Sequence, residues 1–388
     1  MNKQRCRILH PGHGEHVTIL FNFNLIIFFA FASLLSKSSM SATSKEAAFV
    51  RFDAALSNIS KKSISFGKSL LSTIEPFDTD DKVKSTGNGI ILPMYVYVNN
   101  RPVPKAEAVV SVFDHGFLYG DGVYETLRVY DRVVFMLDEH LGRLYRSASL
   151  IRLTMPKNFD QIKAALYETL DVNSLENAYV RITISRGHGP IGLDPDLCKE
   201  PTFVIIAEDM KDYPQSYYEK GIKTVIAQTK RNLKDALNPQ IKSLNFLNNI
   251  LAKIEAKEKE AYESIMVNAS EHIAEGTISN IFFYRDDILC TPSIACGILD
   301  GITRRLILDL AVREGLTVRE GEFTRNDLFA ADEVFLTNTT MEVMPVCKVD
   351  AVRYGVGSVA KLLRKVYRDE VRTYVESIKG SGPSLLGI

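Results

Sequence analysis

The sequence predicts a mixed α/β (α+β) fold in two domains, and three observations carry that expectation. From Met94 onward, short runs rich in Val, Ile, Tyr and Phe alternate with stretches whose apolar residues recur at helical spacing. A break near residues 213–222 divides this body into halves at 94–212 and 221–378. The leading residues 1–90 share neither pattern. A chain of 388 residues has room for two domains.

In order along the body, Tyr95–Val98 reads as a short strand, with Asn99-Asn100 as the turn into a second extended stretch. Val109–Phe113 and Val123–Tyr130 are β-rich, and Arg132–Leu137 continues the meander. Leu141, Leu144, Tyr145, Ala148 and Ile151 then fall on one helical face, predicting a helix over 139–152. Asp160–Leu170 is a second helix, followed by strands at Tyr179–Ser185 and Thr202–Ala207. The second half opens with a strand at Lys223–Ala227 and a long helix from Leu244 to about Glu260, dense in Ala, Leu, Lys and Glu. Strands follow at Ser264–Val267, Asn280–Tyr284 and Ile288–Cys290. Thr303 is placed to cap another helix. Glu333–Leu336 reads as a strand and Val359–Val375 as a closing helix.

Composition excludes several functions. With 47 Lys+Arg against 47 Asp+Glu the formal net charge is zero, so no nucleic-acid partner is expected. The five cysteines, Cys6, Cys198, Cys290, Cys296 and Cys347, are scattered, odd in number and without metal-ligand spacing. They read as reduced thiols, and no metal site is expected. The leader carries an apolar stretch, Ile19–Leu35, that is marginal against the roughly 20 residues of a membrane span. Met40 would serve as an alternative start. The Ser- and Lys-rich sequence from there to about Lys68 reads as an organelle transit peptide, plastid or mitochondrial, although Glu46 and Asp53 weaken the match. With a start at Met40 or later, a cytoplasmic enzyme is expected.

Generic signatures are absent: there is no GxGxxG, Walker loop, GxSxG or HExxH. His115 lies in an informative loop, FDHG, and reads equally as structural or functional. One ordered set stands out. Lys242 sits in QIKSLNFLNN at the mouth of the long helix, followed by EGTISNIFF with Glu275, by LCTP, and by GILDGITRR with Thr303. This set resembles the class-IV (fold-type IV) pyridoxal-phosphate enzymes, the branched-chain and D-amino-acid aminotransferase family. The match runs through Glu275, Thr277, Asn280, Ile281, Phe282, Leu289, Thr291, Leu299, Gly301, Ile302 and Arg304. It spans about residues 94–375.

The resemblance implies a two-domain architecture with its active site at the domain interface, a pyridoxal 5'-phosphate cofactor and at least a homodimer. Pyridoxal phosphate needs a lysine amine and an acidic partner for its ring nitrogen. The resemblance gives these roles to Lys242, as the Schiff-base lysine and proton carrier, and to Glu275. It assigns the phosphate to Arg143, Thr339 and the helix start at Ile302-Thr303, with Thr277 also beside the cofactor. Taken alone, Arg143 would be an ordinary exposed helix residue and Thr303 merely a cap.

For the substrate, the resemblance points to Tyr119, Tyr124, Arg128, Tyr179, Arg181 and the backbone of Thr340-Met341. Tyr179-x-Arg181 and the loop SRGHGPIGLDP resemble branched-chain aminotransferases. Ile191 and Leu193 stand where D-amino-acid enzymes carry Arg and His. Other positions differ from the branched-chain pattern. Tyr124-Glu125-Thr126-Leu127-Arg128 replaces F-E-G-I-R, and Phe246 stands where a tyrosine is common. The resemblance therefore implies transfer between an amino acid, branched-chain and L being expected, and a 2-oxo acid such as 2-oxoglutarate. A D-amino-acid aminotransferase, or a lyase such as aminodeoxychorismate lyase, are the alternatives on the same scaffold.

Overall fold

The computed structural model describes residues 94–380. The apolar stretch at Ile19–Leu35 and the Ser/Lys-rich leader lie outside the described residues. The first half is built on strands β1 (Tyr95–Val98), β2 (Arg101–Pro104), β3 (Gly122–Tyr130), β4 (Val133–Val134), β5 (Ala178–Ser185) and β6 (Thr202–Asp209). They form one antiparallel sheet in the order β2-β1-β6-β5-β3-β4. Side chains alternate across a strand, and β5 shows the consequence. Ala178, Val180, Ile182 and Ile184 are buried in a core, while Tyr179, Arg181 and Thr183 on the other face are half-buried. Between the strands lie α1 (His115–Tyr119), α2 (Leu137–Leu150) and α3 (Phe159–Val172). Leu141, Leu144 and Ala148 of α2 and Ile162, Leu166 and Leu170 of α3 pack into that core. An Asn158–Gln161 capping box starts α3, each side chain accepting from the other's backbone N–H at 2.9 Å.

The second half carries α4 (Gln215–Lys220), β7 (Ile222–Ile226), α5 (Leu247–Glu258), β8 (Glu263–Val267), β9 (Ile273–Gly276), β10 (Asn280–Arg285) and β11 (Ile288–Pro292). After these come α6 (Ile302–Arg313), β12 (Thr317–Gly321), α7 (Arg325–Phe329), β13 (Glu333–Asn338), β14 (Glu342–Val349), β15 (Val352–Arg353) and α8 (Ser358–Gly380). The mixed sheet runs β12-β11-β10-β13-β14-β7-β8-β9, with β15 beside β14. Strands covered on both faces need apolar residues on both. In β13, accordingly, Val334 and Leu336 enter one core with Tyr218 and Leu328, while Phe335 enters another with Leu306, Leu310, Leu363 and Tyr367. Val133 and Phe135 of the first half join the latter core and pack the two sheets together.

The sequence pattern and the structure differ at several points. Val109–Phe113 forms no strand. Val109, Val110, Val112 and Phe113 are exposed, and β-branched composition alone supplies no pairing edge. Thr303 is not the helix cap: Gly301 holds that position and Thr303 is the second residue of α6. Gly301 is required by space, since a Cβ there would sit 2.0 Å from Asn280 Oδ1. β9, β12 and the Pro345-containing β14 carry too few alternating apolar residues, or a proline, and escape a pattern reading. No helix among the described residues is long and apolar enough to cross a membrane.

One cap ties the sheet to the closing helix. Glu333 on β13 accepts from the N–H groups of Val359 at 3.1 Å and Ala360 at 3.0 Å, pairing donors that a helix start leaves open. Glu333→Ala is expected to cost about 1–3 kcal/mol of unfolding free energy, read by denaturant titration. A loss within error of zero would show that water caps α8 equally well.

Candidate active site

The functional residues gather at the ends of β9, β10 and β13, where the start of α6 faces the half-buried side of β3 and β5. A cavity of about 270 Å³ opens there. Register explains its walls. Asn280 of β10 pairs with Thr337 of β13, so the two strands end together. In the other sheet Thr126 pairs with Arg181, and side-chain alternation brings Tyr124, Thr126, Tyr179 and Arg181 to the cavity side.

Lys242 belongs to an irregular segment stitched to β3. Its carbonyl accepts from Tyr124 N–H at 3.0 Å, and its own N–H donates to Ser147 Oγ of α2 at 3.1 Å. Lys242 Nζ lies 4.5 Å from the Tyr124 ring centroid. The Arg181 guanidinium lies 3.9 Å from the same centroid, and the Phe246 ring meets Tyr124 edge-on at 5.4 Å. One aromatic ring thus serves two cations, an arrangement strengthened where water is excluded.

Glu275 stands across the cavity in β9. It accepts from Arg231 Nε at 2.9 Å, Leu299 N–H at 3.0 Å and Asn280 Nδ2 at 3.3 Å. A buried carboxylate held by a guanidinium, an amide and a backbone donor has a fixed place and orientation. Thr277, two residues on, donates through Oγ1 to the fully buried Glu263 at 2.5 Å, and its carbonyl accepts from Asn249 Nδ2 at 2.7 Å.

Arg143 projects from α2 onto Glu125, which lies on the core side of β3. The pair is bidentate, Nε to Oε1 at 2.7 Å and Nη2 to Oε2 at 2.9 Å, while Nη1 donates to Asp300 O at 3.0 Å, just before α6. His140 Nδ1 lies 2.8 Å from Glu125 Oε2. Burial would raise the Glu125 carboxyl, but the Arg143 guanidinium and His140 outweigh it and hold Glu125 far below the usual carboxylate range. Burial also pushes His140 down despite Glu125, so its ring stays neutral and donates Nδ1–H.

The cavity wall also shows an unmet need. Thr337 Oγ1 is buried there and has no hydrogen-bond partner, a state that carries a desolvation cost until a ligand fills it. Beside it are Thr339, Thr303 and Arg143, at the start of α6 whose first N–H groups have no side-chain cap. Hydroxyls, a guanidinium and a helix start together suit a phosphate. Across from them a lysine amine and a fixed carboxylate suit pyridoxal phosphate. Among the described residues no group of three His, Cys, Asp or Glu side chains is placed to hold a metal ion.

Known proteins show the same construction. The sequence profile of the class IV amino-transferases matches residues 122–349. The chain belongs to the class IV aminotransferase family. This aminotransferase is 42% identical over 283 residues to a putative branched-chain-amino-acid aminotransferase of Methanocaldococcus jannaschii, covering 72% of this chain and 97% of that protein. It is 34% identical over 279 residues to a D-alanine aminotransferase of Bacillus licheniformis, covering 70% and 94%. It is also 33% identical over 289 residues to an aminodeoxychorismate lyase of Bacillus subtilis, covering 74% and 97%. Among solved structures it resembles the branched-chain amino acid aminotransferase of Thermobaculum terrenum in its pyridoxal-phosphate form. The TM-score is 0.65 at 27% identity, covering 72% of this chain and 94% of the other. The transaminase therefore has the fold-type IV architecture expected from its sequence, and pyridoxal phosphate is its cofactor.

The structure brings together Lys242, Glu275, Thr277, Arg143, Ile302, Thr303, Thr339, Tyr124, Tyr179, Arg181 and Thr340 on one cavity. It leaves three expected residues off the wall. Tyr119 instead accepts through its hydroxyl from Gly192 N–H at 3.1 Å, and with His115, 3.0 Å from Pro190 O, it pins the loop after β5. Arg128 is turned away: Nη1 donates to Thr340 O at 2.9 Å and lies 3.3 Å from Glu342, while Nη2 meets Asp212 at 3.4 Å. These partners engage both terminal nitrogens of the guanidinium expected to meet a substrate carboxylate. The Met341 side chain is fully buried, and the N–H groups of Thr340 and Met341 already donate to Asn338 Oδ1 at 2.9 and 2.8 Å. Sequence reasoning passed over Glu125, His140, Arg231 and Thr337. A charge on the core side of β3 was the available signal for Glu125. Arg231 lies in an irregular segment that has no period to read.

Removing one member of a buried ion pair leaves the other uncompensated. Glu125→Gln is expected to cost about 3–5 kcal/mol of stability at neutral pH. Because the folded carboxyl lies below its ordinary value of 4.5, its stabilisation is complete above that pH and declines as pH falls beneath it. Unfolding curves from pH 7 to pH 3 should therefore draw together for wild type and Glu125→Gln; a gap constant across that range would refute the ion-pair assignment.

Proposed function

We propose that this aminotransferase moves the amino group of a branched-chain L-amino acid to a 2-oxo acid such as 2-oxoglutarate. The observation that carries the reading is the wall made by β3 and β5. Tyr124, Tyr179 and Phe246 offer apolar ring surface. Beside them Arg181 makes one hydrogen bond, from Nε to Thr183 Oγ1 at 3.2 Å, with no carboxylate partner among the described residues. A branched aliphatic side chain fits against the rings, and the distal carboxylate of a dicarboxylic 2-oxo acid fits the guanidinium. The two half-reactions need both surfaces. The likeness to the M. jannaschii protein supports the same substrate class.

When bound, pyridoxal phosphate supplies an aldehyde that condenses with amines and a ring that takes up the electron pair left at Cα. Lys242 Nζ is the amine that joins the cofactor and carries the proton off and back onto the substrate. Glu275, held by Arg231, Asn280 and Leu299 N–H, keeps a proton on the ring nitrogen. Arg143, Thr303, Thr339, Thr337 and the open N–H groups of α6 hold the phosphate. Glu125 keeps the Arg143 guanidinium aimed.

We propose a homodimer on the evidence of α5. Leu247, Ile250, Leu251 and Ile254 recur at i, i+3, i+4 and i+7 and all face outward, while Asn249, Ala252 and Ala256 face inward. Exposed Ile278, Ile191 and Leu193 add apolar surface, more than a monomer ordinarily leaves in water. A second copy of this chain is the partner. The Ser/Lys-rich leader supports an organelle address for the precursor; a mature protein that keeps Met1 would remove that proposal.

Purified enzyme is expected to show the visible absorption of bound pyridoxal phosphate, bleached by L-leucine and by L-glutamate and restored by their 2-oxo acids. Lys242→Ala should lower turnover at least about 10²-fold. A response to D-alanine alone would replace the branched-chain reading with the D-amino-acid one. Pyruvate released from a β-substituted substrate without any acceptor would replace it with the lyase. Ile250→Asp/Ile254→Asp should halve the mass measured by light scattering; an unchanged mass would place the subunit interface elsewhere.

A further inference from the structure

Helix α8 has two faces of opposite character. Val359, Leu363, Tyr367, Val371 and Val375 pack into the core. On the other face Lys361, Arg364, Lys365, Arg368 and Arg372 recur every three or four residues, which aligns them along the helix. This basic stripe, with Tyr218 of α4 and Pro345 of β14, lines a groove of about 590 Å³ whose one acidic lining residue is Asp369. No residue of the groove also lines the catalytic cavity. In a chain of zero net charge the stripe is a local concentration of positive charge.

The carboxylates nearby do not balance it. Three guanidiniums share the buried Glu342: Arg368 Nε at 2.9 Å, Arg128 Nη1 at 3.3 Å and Arg364 Nε at 4.0 Å. The last distance is too long for a hydrogen bond. Arg364 Nε and Nη2 are in fact buried without a hydrogen-bond partner, while the guanidinium lies 3.6 Å from the Tyr218 ring centroid. Burial and the neighbouring Arg368 push the Arg364 guanidinium below its ordinary value. Asp369 is engaged by Lys365 at 2.9 Å and by Arg372. Lys361 has no carboxylate partner among the described residues.

A guanidinium with unmet donors beside a second cation calls for an anion, and its planar fork suits the oxygens of a phosphate. The five cations of the stripe face two carboxylates, Asp369 and Glu342, so a doubly charged phosphate group fits the excess better than a single carboxylate. We propose that the groove on α8 is a second anion site, binding the phosphate group of a small molecule between Lys361, Arg364 and Arg368. The bound anion supplies the negative charge that Glu342 cannot give to all three of its guanidiniums. The site is separate from the cofactor's phosphate site at the start of α6.

The test titrates holoenzyme with inorganic phosphate and, separately, with glycerol phosphate, by calorimetry at an ionic strength held constant with sodium chloride. Wild type is expected to bind one anion per chain with saturation while keeping the visible absorption of its cofactor. Arg364→Gln should weaken that binding about tenfold or more, the worth of a charged hydrogen bond. Because Arg364 also packs on Tyr218, the exposed pair Lys361→Gln/Arg372→Gln provides an independent variant, expected to lose about fivefold or more. Arg146→Gln, an exposed charge on α2, should bind as wild type does. Tighter binding of inorganic phosphate would assign the site to the free ion, and tighter binding of glycerol phosphate to an ester; either supports the site. Absence of saturable binding of both anions to wild type would overturn it. So would equal weakening in all three variants, which marks diffuse attraction, or loss of the cofactor's absorption during the titration, which marks entry into the catalytic cavity.

Discussion

Strand β3 is the element on which the site depends, because its two faces do different work. The side chains of Val123, Leu127 and Val129 hold the core, and on that same side Glu125 anchors Arg143 and His140. Tyr124 and Thr126, one residue out of phase, form the wall of the cavity. A slip of one residue in register would send Glu125 to the cavity and Tyr124 into the core. The register with β5 therefore fixes which cation meets which anion. The Glu125–Arg143 pair is buried deeply enough that each charge needs the other.

The same economy appears on the opposite wall. Glu275 is fixed by three donors from three segments, Arg231, Asn280 and Leu299. Its place is thus set by the tertiary fold and not by the short β9. Between the two walls, the orphaned Thr337 hydroxyl and the open start of α6 stay unsatisfied in the protein alone. Sites of this kind trade folding stability for ligand affinity, since the cost of unmet donors is recovered on binding.

Much of the fold was legible because its strands and helices follow the two side-chain periods. Val123–Tyr130, Tyr179–Ser185 and the helix expected over 139–152, found at Leu137–Leu150, announce themselves by alternation or by a 3.6-residue recurrence. β9, β12 and β14 did not, being short, polar or proline-bearing, and pairing partners decide them. At the site, chemistry-bearing residue types in spaced order drew attention to Lys242, Glu275 and Thr303. What spacing could not show was direction. Arg128 and Tyr124 lie on the same side of β3, yet Glu342 and Thr340 O claim the Arg128 guanidinium before it can enter the cavity. The amide pair at Thr340-Met341 is likewise visible in sequence as a turn, but only the structure shows Asn338 folded back upon it.

The Tyr124 ring couples two features of the cavity that a substitution there would alter together. Lys242 and Arg181 rest on the same ring, and in the proposed function one belongs to the chemistry and the other to substrate choice. A substitution at Tyr124 that widened the pocket would disturb the reactive amine at the same stroke. Reshaping the cavity at this position therefore carries a cost to Lys242 that reshaping it elsewhere does not. Thr126 and Asn338 border the same cavity without sharing the Tyr124 ring with Lys242, so their size and polarity can be altered separately from it. A single shared aromatic side chain in this way divides the cavity into a part where shape and reactive amine are coupled and a part where they are separable.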